Sequence, residues 1–157
     1  MVYTFQPITP QLAKIAAGWQ YPFPYDFYNI PKGRQRFAVR GYLNPNYAYH
    51  SIKDENETWI GICTFGADAR VAGGDYSETA IDIGLGLCPE HTGRGMGTAV
   101  VAAILDFATA NADTSVFRAT IASFNRRSQR VFEKNGFHRT QEFMTSAGVN
   151  FQVWIKP

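Results

Sequence analysis

The chain has 157 residues and a mass of 17.5 kDa, which predicts a single domain spanning residues 1–157 with a substantial core. Its formal net charge of +2, without a basic run longer than Arg126-Arg127, argues against a nucleic-acid-binding protein. Its two cysteines predict free thiols instead of a disulfide framework. No apolar segment reaches the ~18 residues of a membrane span, and no signal peptide is recognisable. We therefore expect a cytoplasmic protein without membrane partners.

The first part of the chain predicts one strand and one short helix. Residues 2–8 alternate between apolar and polar side chains, as a half-buried strand does. Residues 9–18 predict a helix with Thr9 as its N-cap and Gly18 after its end. Residues 19–46 are rich in Trp, Tyr, Phe and Pro, and their periodicity does not decide whether they contain a second helix.

A strand meander and a longer helix come next. Residues 47–53 and 58–66 flank a polar turn and predict a hairpin, to which residues 79–87 add a third strand. Residues 95–110 then carry apolar side chains at helical spacing.

The last part of the chain adds a strand, a helix and a closing hairpin. Residues 115–123 predict the strand, and Asn125 predicts the N-cap of a helix that ends before Gly136. Residues 138–145 and 149–157 predict the hairpin. This order of elements combines an antiparallel meander with a β-α-β crossover, which indicates an α/β layered fold.

Three glycines stand at alternate positions between a predicted strand and a predicted helix. Residues 93–98 read Gly-Arg-Gly-Met-Gly-Thr. Glycines let a ligand approach the backbone closely, and the first amides of the following helix have no partner inside it. Together with the helix dipole and the charge of Arg94, they predict a phosphate site. The spacing matches neither a Walker loop nor a dinucleotide fingerprint.

Two linked motifs resemble the GCN5-related N-acetyltransferase (GNAT) superfamily. The first is Pro89-Glu90 followed by Thr92-x-x-Gly95-x-Gly97, and the second is Asn125 followed by a helix that ends in Gly136-Phe137. The resemblance is specific over residues 80–140, and the element order extends it to the rest of the chain. It implies a GNAT-like fold, with a mixed, mostly antiparallel sheet of six to seven strands flanked by about four helices.

The resemblance implies an N-acetyltransferase that uses acetyl-CoA as its co-substrate and no metal. The acetyl group would pass to a primary amine of a small amine, an amino acid or a peptide N-terminus, by direct attack on the thioester. The residues that would hold the co-substrate are Leu85, Gly86 and Leu87 for the pantetheine, Cys88 beside the thioester, Gly93, Arg94, Gly95, Met96, Gly97 and Thr98 for the pyrophosphate, and Asn125 and Phe132 on the last helix. Strand amides near Leu87 and Cys88 would stabilise the oxyanion. The resemblance also makes a homodimer formed through the last strands a possible partner arrangement.

Three positions depart from the family pattern. Thr92 replaces the usual Gln or Arg, Phe132 replaces the tyrosine that protonates the departing thiolate in many members, and Thr120 replaces a glutamate of some members. Asn125 would orient the thioester, or it is a plain N-cap, or both. Loss of an acid costs only ~10²–10⁴-fold in rate, so catalysis is not excluded.

Asp82 is the candidate base. Strand alternation places Asp82, Gly84 and Gly86 on one face, where two glycines beside a carboxylate predict an open trough for an amine. The alternative is a solvated or ion-paired strand residue. Cys88 offers a second chemical route through an acyl-cysteine, which is less expected than direct transfer.

The aromatic segment 19–28 matches the place where family members cover the acceptor. Tyr25, Asp26 and Tyr28 would line the acceptor pocket, with Asp26 meeting the ammonium group; the alternative is an ordinary aromatic core. The three histidines show no metal-ligand spacing. Two other functions remain open, a non-catalytic acyl-CoA-binding or sensing domain of the same fold and an unrelated nucleotide-binding module.

Overall fold

The computed structural model describes residues 2–157 and contains seven strands and four α-helices within them. The strands are β1 (Thr4–Pro7), β2 (His50–Lys53), β3 (Trp59–Phe65), β4 (Ile81–Leu87), β5 (Phe117–Ala122), β6 (His138–Met144) and β7 (Asn150–Lys156). The helices are α1 (Pro10–Ala17), α2 (Gln35–Leu43), α3 (Gly97–Ala110) and α4 (Arg126–Lys134).

The strands form one mixed sheet in the order β1-β2-β3-β4-β5-β7-β6. The pairs β1–β2, β2–β3, β5–β7 and β6–β7 are antiparallel, whereas β4 and β5 are parallel and connected by α3. The predicted hairpin of β2 and β3, the crossover and the closing hairpin are therefore confirmed, and β4 lies next to β3 as predicted. The predicted mixed sheet with four helices is confirmed as well. The element ends differ from the predicted ones by a few residues, because frayed ends carry little periodicity.

The chain divides into two compact units. The first consists of the described residues up to Thr64 together with Leu85–Arg94, and the second of Phe65–Gly84 and Gly95–Pro157. Both β3 and β4 contribute residues to each unit.

The first unit is built around α1. Thr9 caps this helix as predicted, since its Oγ1 accepts a hydrogen bond of 3.3 Å from the Leu12 amide. The small side chains of Ala13 and Ala16 are buried and form a core cluster with Ile8 and Ile62. Partly buried hydrophobic residues pack against that cluster: Leu12, Trp19, Val39, Tyr42, Tyr49 and Trp59.

The segment that periodicity left undecided contains α2. Short 3₁₀ turns at Tyr25–Tyr28 and Lys32–Arg34 precede the helix. Prolines at positions 22, 24 and 31 prevent a continuous helix there, because a proline lacks the amide that the helix needs. The absence of a clear period in residues 19–46 thus reflects a change of local structure every few residues.

The second unit buries the apolar stripe of α3. Val100, Val101, Ile104, Leu105 and Ala108 are all buried, as the spacing predicts. Phe132 of α4 packs edge-on against Phe137, with ring centroids 5.0 Å apart. None of the helices in residues 2–157 combines the length and apolar character required to cross a membrane.

Candidate active site

The predicted pantetheine segment, Leu85–Leu87, is the final part of β4. Within the described part of the chain, the β4–β5 ladder has two residue pairs and ends at Asp82 and Arg118. Residues 83–87 therefore continue past that ladder. Residues 119–122 of β5 also continue past it. Strand residues beyond the last pair of a ladder offer backbone donors and acceptors to an added extended segment.

Two glycines bring β3 and β4 unusually close at this strand end. A β-carbon on Gly61 would lie 2.6 Å from the Gly86 carbonyl oxygen and 3.2 Å from the Leu87 α-carbon. The first distance is well inside van der Waals contact, so a side chain at position 61 would push the end of β4 away. Gly86 does not face an empty trough, since a β-carbon there would meet the Tyr21 hydroxyl oxygen at 3.9 Å.

Tyr21 is a site residue that the sequence did not single out. Its hydroxyl donates a hydrogen bond of 2.6 Å to the Leu87 carbonyl oxygen. Asn29 fixes the Tyr21 backbone from both sides, because Asn29 Oδ1 accepts from the Tyr21 amide at 2.7 Å and Asn29 Nδ2 donates to its carbonyl at 3.3 Å. Trp19 packs on Trp59 beside it, with centroids 5.1 Å apart. A phenol hydroxyl is thereby held at the last residue of β4.

Cys88 is buried and inert. Its amide donates to the Ile60 carbonyl oxygen at 2.8 Å, so this amide is not available as the oxyanion donor that the sequence predicted. Its side chain is 2% exposed, and burial raises the pKa of the thiol to about 12, with a further contribution from the charge of Glu90. The reactive form of cysteine is the thiolate, which this site disfavours at neutral pH. The geometry therefore favours direct transfer over an acyl-cysteine.

The glycine turn has the backbone geometry of an anion site. Gly93 and Gly95 are exposed and have φ angles of +71° and +77°, which favour glycine. The N-cap of α3, Met96, gives no side-chain hydrogen bond to the helix start. The first amides of α3 therefore lack both an intrahelical partner and a side-chain cap. This arrangement fits a diphosphate.

Gly97 and Thr98 make contacts of a different kind. A β-carbon on Gly97 would lie 3.0 Å from Val131 Cγ2, so this glycine lets α3 and α4 pack closely. Asn135 Nδ2 donates to the Thr98 carbonyl oxygen at 3.1 Å and joins the same two helices. The third glycine is thus explained by packing.

Thr92 does not extend its hydroxyl to the loop. The hydroxyl donates to the Pro89 carbonyl oxygen at 2.7 Å, which uses its one proton. The substitution of Thr for Gln or Arg therefore removes a donor from the predicted co-substrate site.

The two predicted residues of the last helix have clear structural roles. Asn125 is the N-cap of α4, and its Oδ1 accepts from the Ser128 amide at 3.1 Å. Phe132 is 3% exposed and its ring packs on Phe137, which does not favour the predicted contact of Phe132 with the co-substrate. Asn125 is therefore an N-cap, and its role in orienting the thioester stays a prediction.

Asp82 lies in a buried ion-pair cluster instead of an open trough. The residue is 1% exposed, and Arg118 binds both of its oxygens, with Nε to Oδ1 at 2.7 Å and Nη2 to Oδ2 at 2.8 Å. Arg70 Nε adds a third bond to Oδ2 at 2.8 Å. The strand register places the buried Arg118 of β5 opposite Asp82. Both oxygens of this buried carboxylate thus accept hydrogen bonds from guanidinium groups, which is the ion-paired alternative for Asp82.

Tyr76 completes this cluster. Its ring lies under both guanidinium groups, 5.4 Å from Arg70 Cζ and 4.9 Å from Arg118 Cζ. Its hydroxyl lies 2.8 Å from Thr120 Oγ1 and accepts from the Val71 amide at 2.9 Å. Hydrogen bonding to Asp82 raises the pKa of Arg118, which keeps that guanidinium charged. Thr120, at the position that is glutamate in some family members, thus helps to hold the loop before β4 through Tyr76.

The predicted acceptor residues lie on one short 3₁₀ turn. Tyr25 is half-buried, whereas Asp26 and Tyr28 are exposed. Phe27 packs edge-on against Tyr28, with centroids 5.0 Å apart. Among residues 2–157, no three His, Cys, Asp or Glu side chains are grouped to hold a metal ion.

The sequence profile of the acetyltransferase (GNAT) domain matches residues 8–138. The chain belongs to the GNAT acetyltransferase family. The match covers both motifs on which the resemblance was based, from Pro89 to Phe137. No protein of curated function has a significant sequence match to the chain.

Solved GNAT structures share the fold at low sequence identity. AAC(6')-Ib, in complex with ribostamycin and coenzyme A, has a TM-score of 0.79 and 18% identity over 99% of this chain and 93% of its own. A chimera of the spermidine N-acetyltransferase SpeG from Vibrio cholerae and hSSAT has a TM-score of 0.71 and 12% identity, covering 98% and 94%. A GNAT-family protein of Bordetella pertussis has a TM-score of 0.72 and 15% identity, covering 98% and 94%.

Proposed function

We propose that this GNAT protein transfers the acetyl group of acetyl-CoA to a primary amine. The observation that carries the proposal is the turn of Gly93 and Gly95 in left-handed conformation before the uncapped start of α3. Unpartnered amides at a helix start are suited to bind the pyrophosphate, and the exposed Arg94 adds a positive charge. The family assignment supports the reaction class.

The structural neighbours support the same pair of substrates. AAC(6')-Ib has been solved with acetyl-CoA and paromomycin, and again with coenzyme A and kanamycin. In both cases an amine-bearing ligand and the coenzyme share one GNAT fold. Bound acetyl-CoA would supply this chain with an activated acetyl thioester.

Residues of the chain would bind and orient the reactants. The backbone of Leu85–Leu87 would pair with the pantetheine arm, and the Tyr21 hydroxyl would fix the Leu87 peptide at the end of that segment. Asn125 would orient the thioester from the start of α4. Positioning of this kind supplies a large part of the rate of a bimolecular transfer.

The side chains that could accept or donate a proton in the reaction favour a neutral amine as the attacking species. Asp82 is buried and both of its oxygens accept hydrogen bonds from arginines, so its role as base is the weaker part of the proposal. Phe132 has no proton to give. We therefore expect kcat/KM to rise with pH up to the pKa of the acceptor amine, as it does when the free base is the substrate.

Calorimetry and a thiol-release assay test the proposal. Acetyl-CoA should bind the protein and ATP should not, which separates this family function from a general nucleotide-binding module. A panel of amines should then release coenzyme A thiol in proportion to acetylated product. Absence of acetyl-CoA binding would refute the proposal.

A non-catalytic acyl-CoA-binding domain is the second candidate. Two observations favour it: Phe132 stands where an acid is usual, and Asp82 is held by two arginines. Tight acetyl-CoA binding without turnover of any amine in the panel would support this candidate and exclude the enzyme.

A further inference from the structure

An open depression in the first unit has the lining of an anion-binding subsite. It has a volume of about 550 Å³, and its wall includes Gly18, Gln20, Asn29, Pro31, Lys32 and Gln35. Three of these side chains are amides and one is an ammonium group. The lining contains no carboxylate.

Hydrogen bonds between the lining residues give the depression a fixed shape. Asn29 Nδ2 donates to Gln20 Oε1 at 3.2 Å, and Gln35 Nε2 donates to the Ile30 carbonyl oxygen at 3.2 Å. Lys32 is exposed, and it takes part in none of the ion pairs found among residues 2–157. The amides therefore maintain the wall, while Lys32 contributes its charge.

The depression is linked to the end of β4 by two hydrogen-bonded steps. Asn29, a wall residue, holds the Tyr21 backbone amide at 2.7 Å, and the Tyr21 hydroxyl holds the Leu87 carbonyl at 2.6 Å. A ligand in the depression thus lies against the residues that fix the predicted thioester end of the strand.

The chain segment that supplies most of the lining is basic. Residues 19–47 contain four basic side chains, Lys32, Arg34, Arg36 and Arg40, and one acidic side chain, Asp26. All five are exposed, and of the four cations Lys32 lines the depression. Such a field attracts anions and repels polycations.

We propose that the acceptor is a primary amine that also carries a carboxylate, and that Lys32 binds this carboxylate. The inference rests on the acetyltransferase function proposed above. It excludes polyamines and aminoglycosides as preferred substrates, because a polycation would be repelled by Lys32 in the depression and by the basic segment that carries it. In the reaction the amine nitrogen bonds to the acetyl carbon, the carbon–sulfur bond breaks, and the proton lost by the amine leaves with the thiolate as coenzyme A thiol.

The test compares acceptors by steady-state kinetics at low ionic strength. The panel contains glutamate, a short peptide with a free N-terminal amine and acidic side chains, spermidine and kanamycin. We expect kcat/KM to be highest for one of the two carboxylated amines, and which of them it is distinguishes a free amino acid from a peptide. A higher kcat/KM for spermidine or kanamycin would overturn the inference.

Paired charge reversals test the role of Lys32. The Lys32→Glu variant should raise KM for the carboxylated acceptor about tenfold with little change in kcat, because a charge-assisted hydrogen bond to the ground state is replaced by repulsion. Lys14→Glu is the matched control, since Lys14 is exposed on α1, lies outside the depression and changes the net charge equally. Equal effects of the two reversals would overturn the inference.

Binding measured without turnover separates this inference from the proposed function. Calorimetric titration of the carboxylated amine into the wild type and Lys32→Glu, with and without coenzyme A, should show a loss of affinity in the variant. If acetyl-CoA does not bind, the proposed function fails, and this titration still decides whether Lys32 binds a carboxylate. If the carboxylated amine binds both proteins equally, the inference fails while acetyl-CoA binding can stand.

Discussion

At the scale of single residues, the three glycines of the turn have different tasks. Gly93 and Gly95 provide left-handed backbone in an exposed loop, while Gly97 provides space for Val131 between two helices. The regular spacing in the sequence conceals this difference. Only the first two are expected to shape the anion site directly.

Gly95→Ala should therefore weaken acetyl-CoA binding, by about tenfold, because the strained residue moves the amides at the start of α3. Gly148→Ala is the matched control: its φ of +81° is close to the +77° of Gly95, and neither glycine has a neighbour within 4 Å of an added β-carbon. Each variant should lose about 1 kcal/mol of unfolding free energy. Calorimetry and urea denaturation measure the two effects, and unchanged affinity in Gly95→Ala would contradict the assignment of the loop.

The buried thiols predict a loss of stability in alkali. Burial raises the pKa of Cys63 and of Cys88 to about 12 from an ordinary value of 9.0. Below pH 9 both states are protonated; between pH 9 and 12 the unfolded chain loses these protons while the folded chain keeps them, so the unfolding free energy falls as pH rises. The fall is about 1.4 kcal/mol per pH unit for each thiol.

Urea midpoints at pH 8 and 10.5 measure this effect. The Cys63→Ala, Cys88→Ala double variant should lose less stability than the wild type over the same interval. Cys88→Ala alone should retain acetyl transfer within about twofold, as direct transfer requires; loss of turnover in a folded Cys88→Ala protein would reopen the acyl-cysteine route.

At the scale of elements, an ion-pair cluster within the second unit holds the loop before β4 against the strands β4 and β5. Arg70 and Tyr76 come from that loop, Asp82 from β4 and Arg118 from β5. Arg118 also donates to the Glu78 carbonyl oxygen at 2.8 Å. The buried charges are thus paired and hydrogen-bonded, which is the condition under which charges are tolerated inside a protein.

Asp82→Asn should destabilise the fold by about 3–5 kcal/mol, because it leaves a buried guanidinium without its counter-ion. The control is Glu142→Gln, which breaks an exposed pair with Arg139 at 3.9 Å and should change stability by less than about 0.5 kcal/mol. Urea denaturation compares them. If Asp82→Asn is as stable as the wild type but slow only at pH values below the pKa of the amine, the base role would be supported instead.

Two N-caps provide a second element-scale test. Asn125→Ala and Thr9→Ala each remove a side-chain acceptor from a helix start, and each should cost about 1 kcal/mol. If Asn125 also orients the thioester, only Asn125→Ala should lower kcat, by about tenfold or more, at temperatures where both variants are folded. Equal kcat values would leave Asn125 as a cap alone.

At the scale of the whole molecule, co-substrate binding should stabilise the folded state. Ligand at 100 times its Kd adds about 2.7 kcal/mol, which corresponds to a rise in Tm of about 5–10 °C for a chain of this size. Thermal unfolding with acetyl-CoA should show this rise, and ATP at the same concentration should not. An equal rise with both ligands would indicate general anion binding.

The sequence predicted the architecture better than the site. Apolar spacing, the caps Thr9 and Asn125 and the glycine terminators are local signals, and the corresponding elements formed where expected. The partners of Asp82 and of the Cys88 amide depend on strand pairing between distant segments, which no local pattern encodes. Tyr21 was missed for the same reason, since its partner Leu87 is 66 positions away and the surrounding prolines remove any periodicity.

The position of β7 between β5 and β6 has a consequence for synthesis on the ribosome. β5 and β6 precede β7 in the chain, but β7 covers one edge of β5 and pairs with β6 along its length, so both edges stay open until β7 joins the sheet. Until then the nascent chain exposes unpaired strand edges, a state that invites aggregation and chaperone binding.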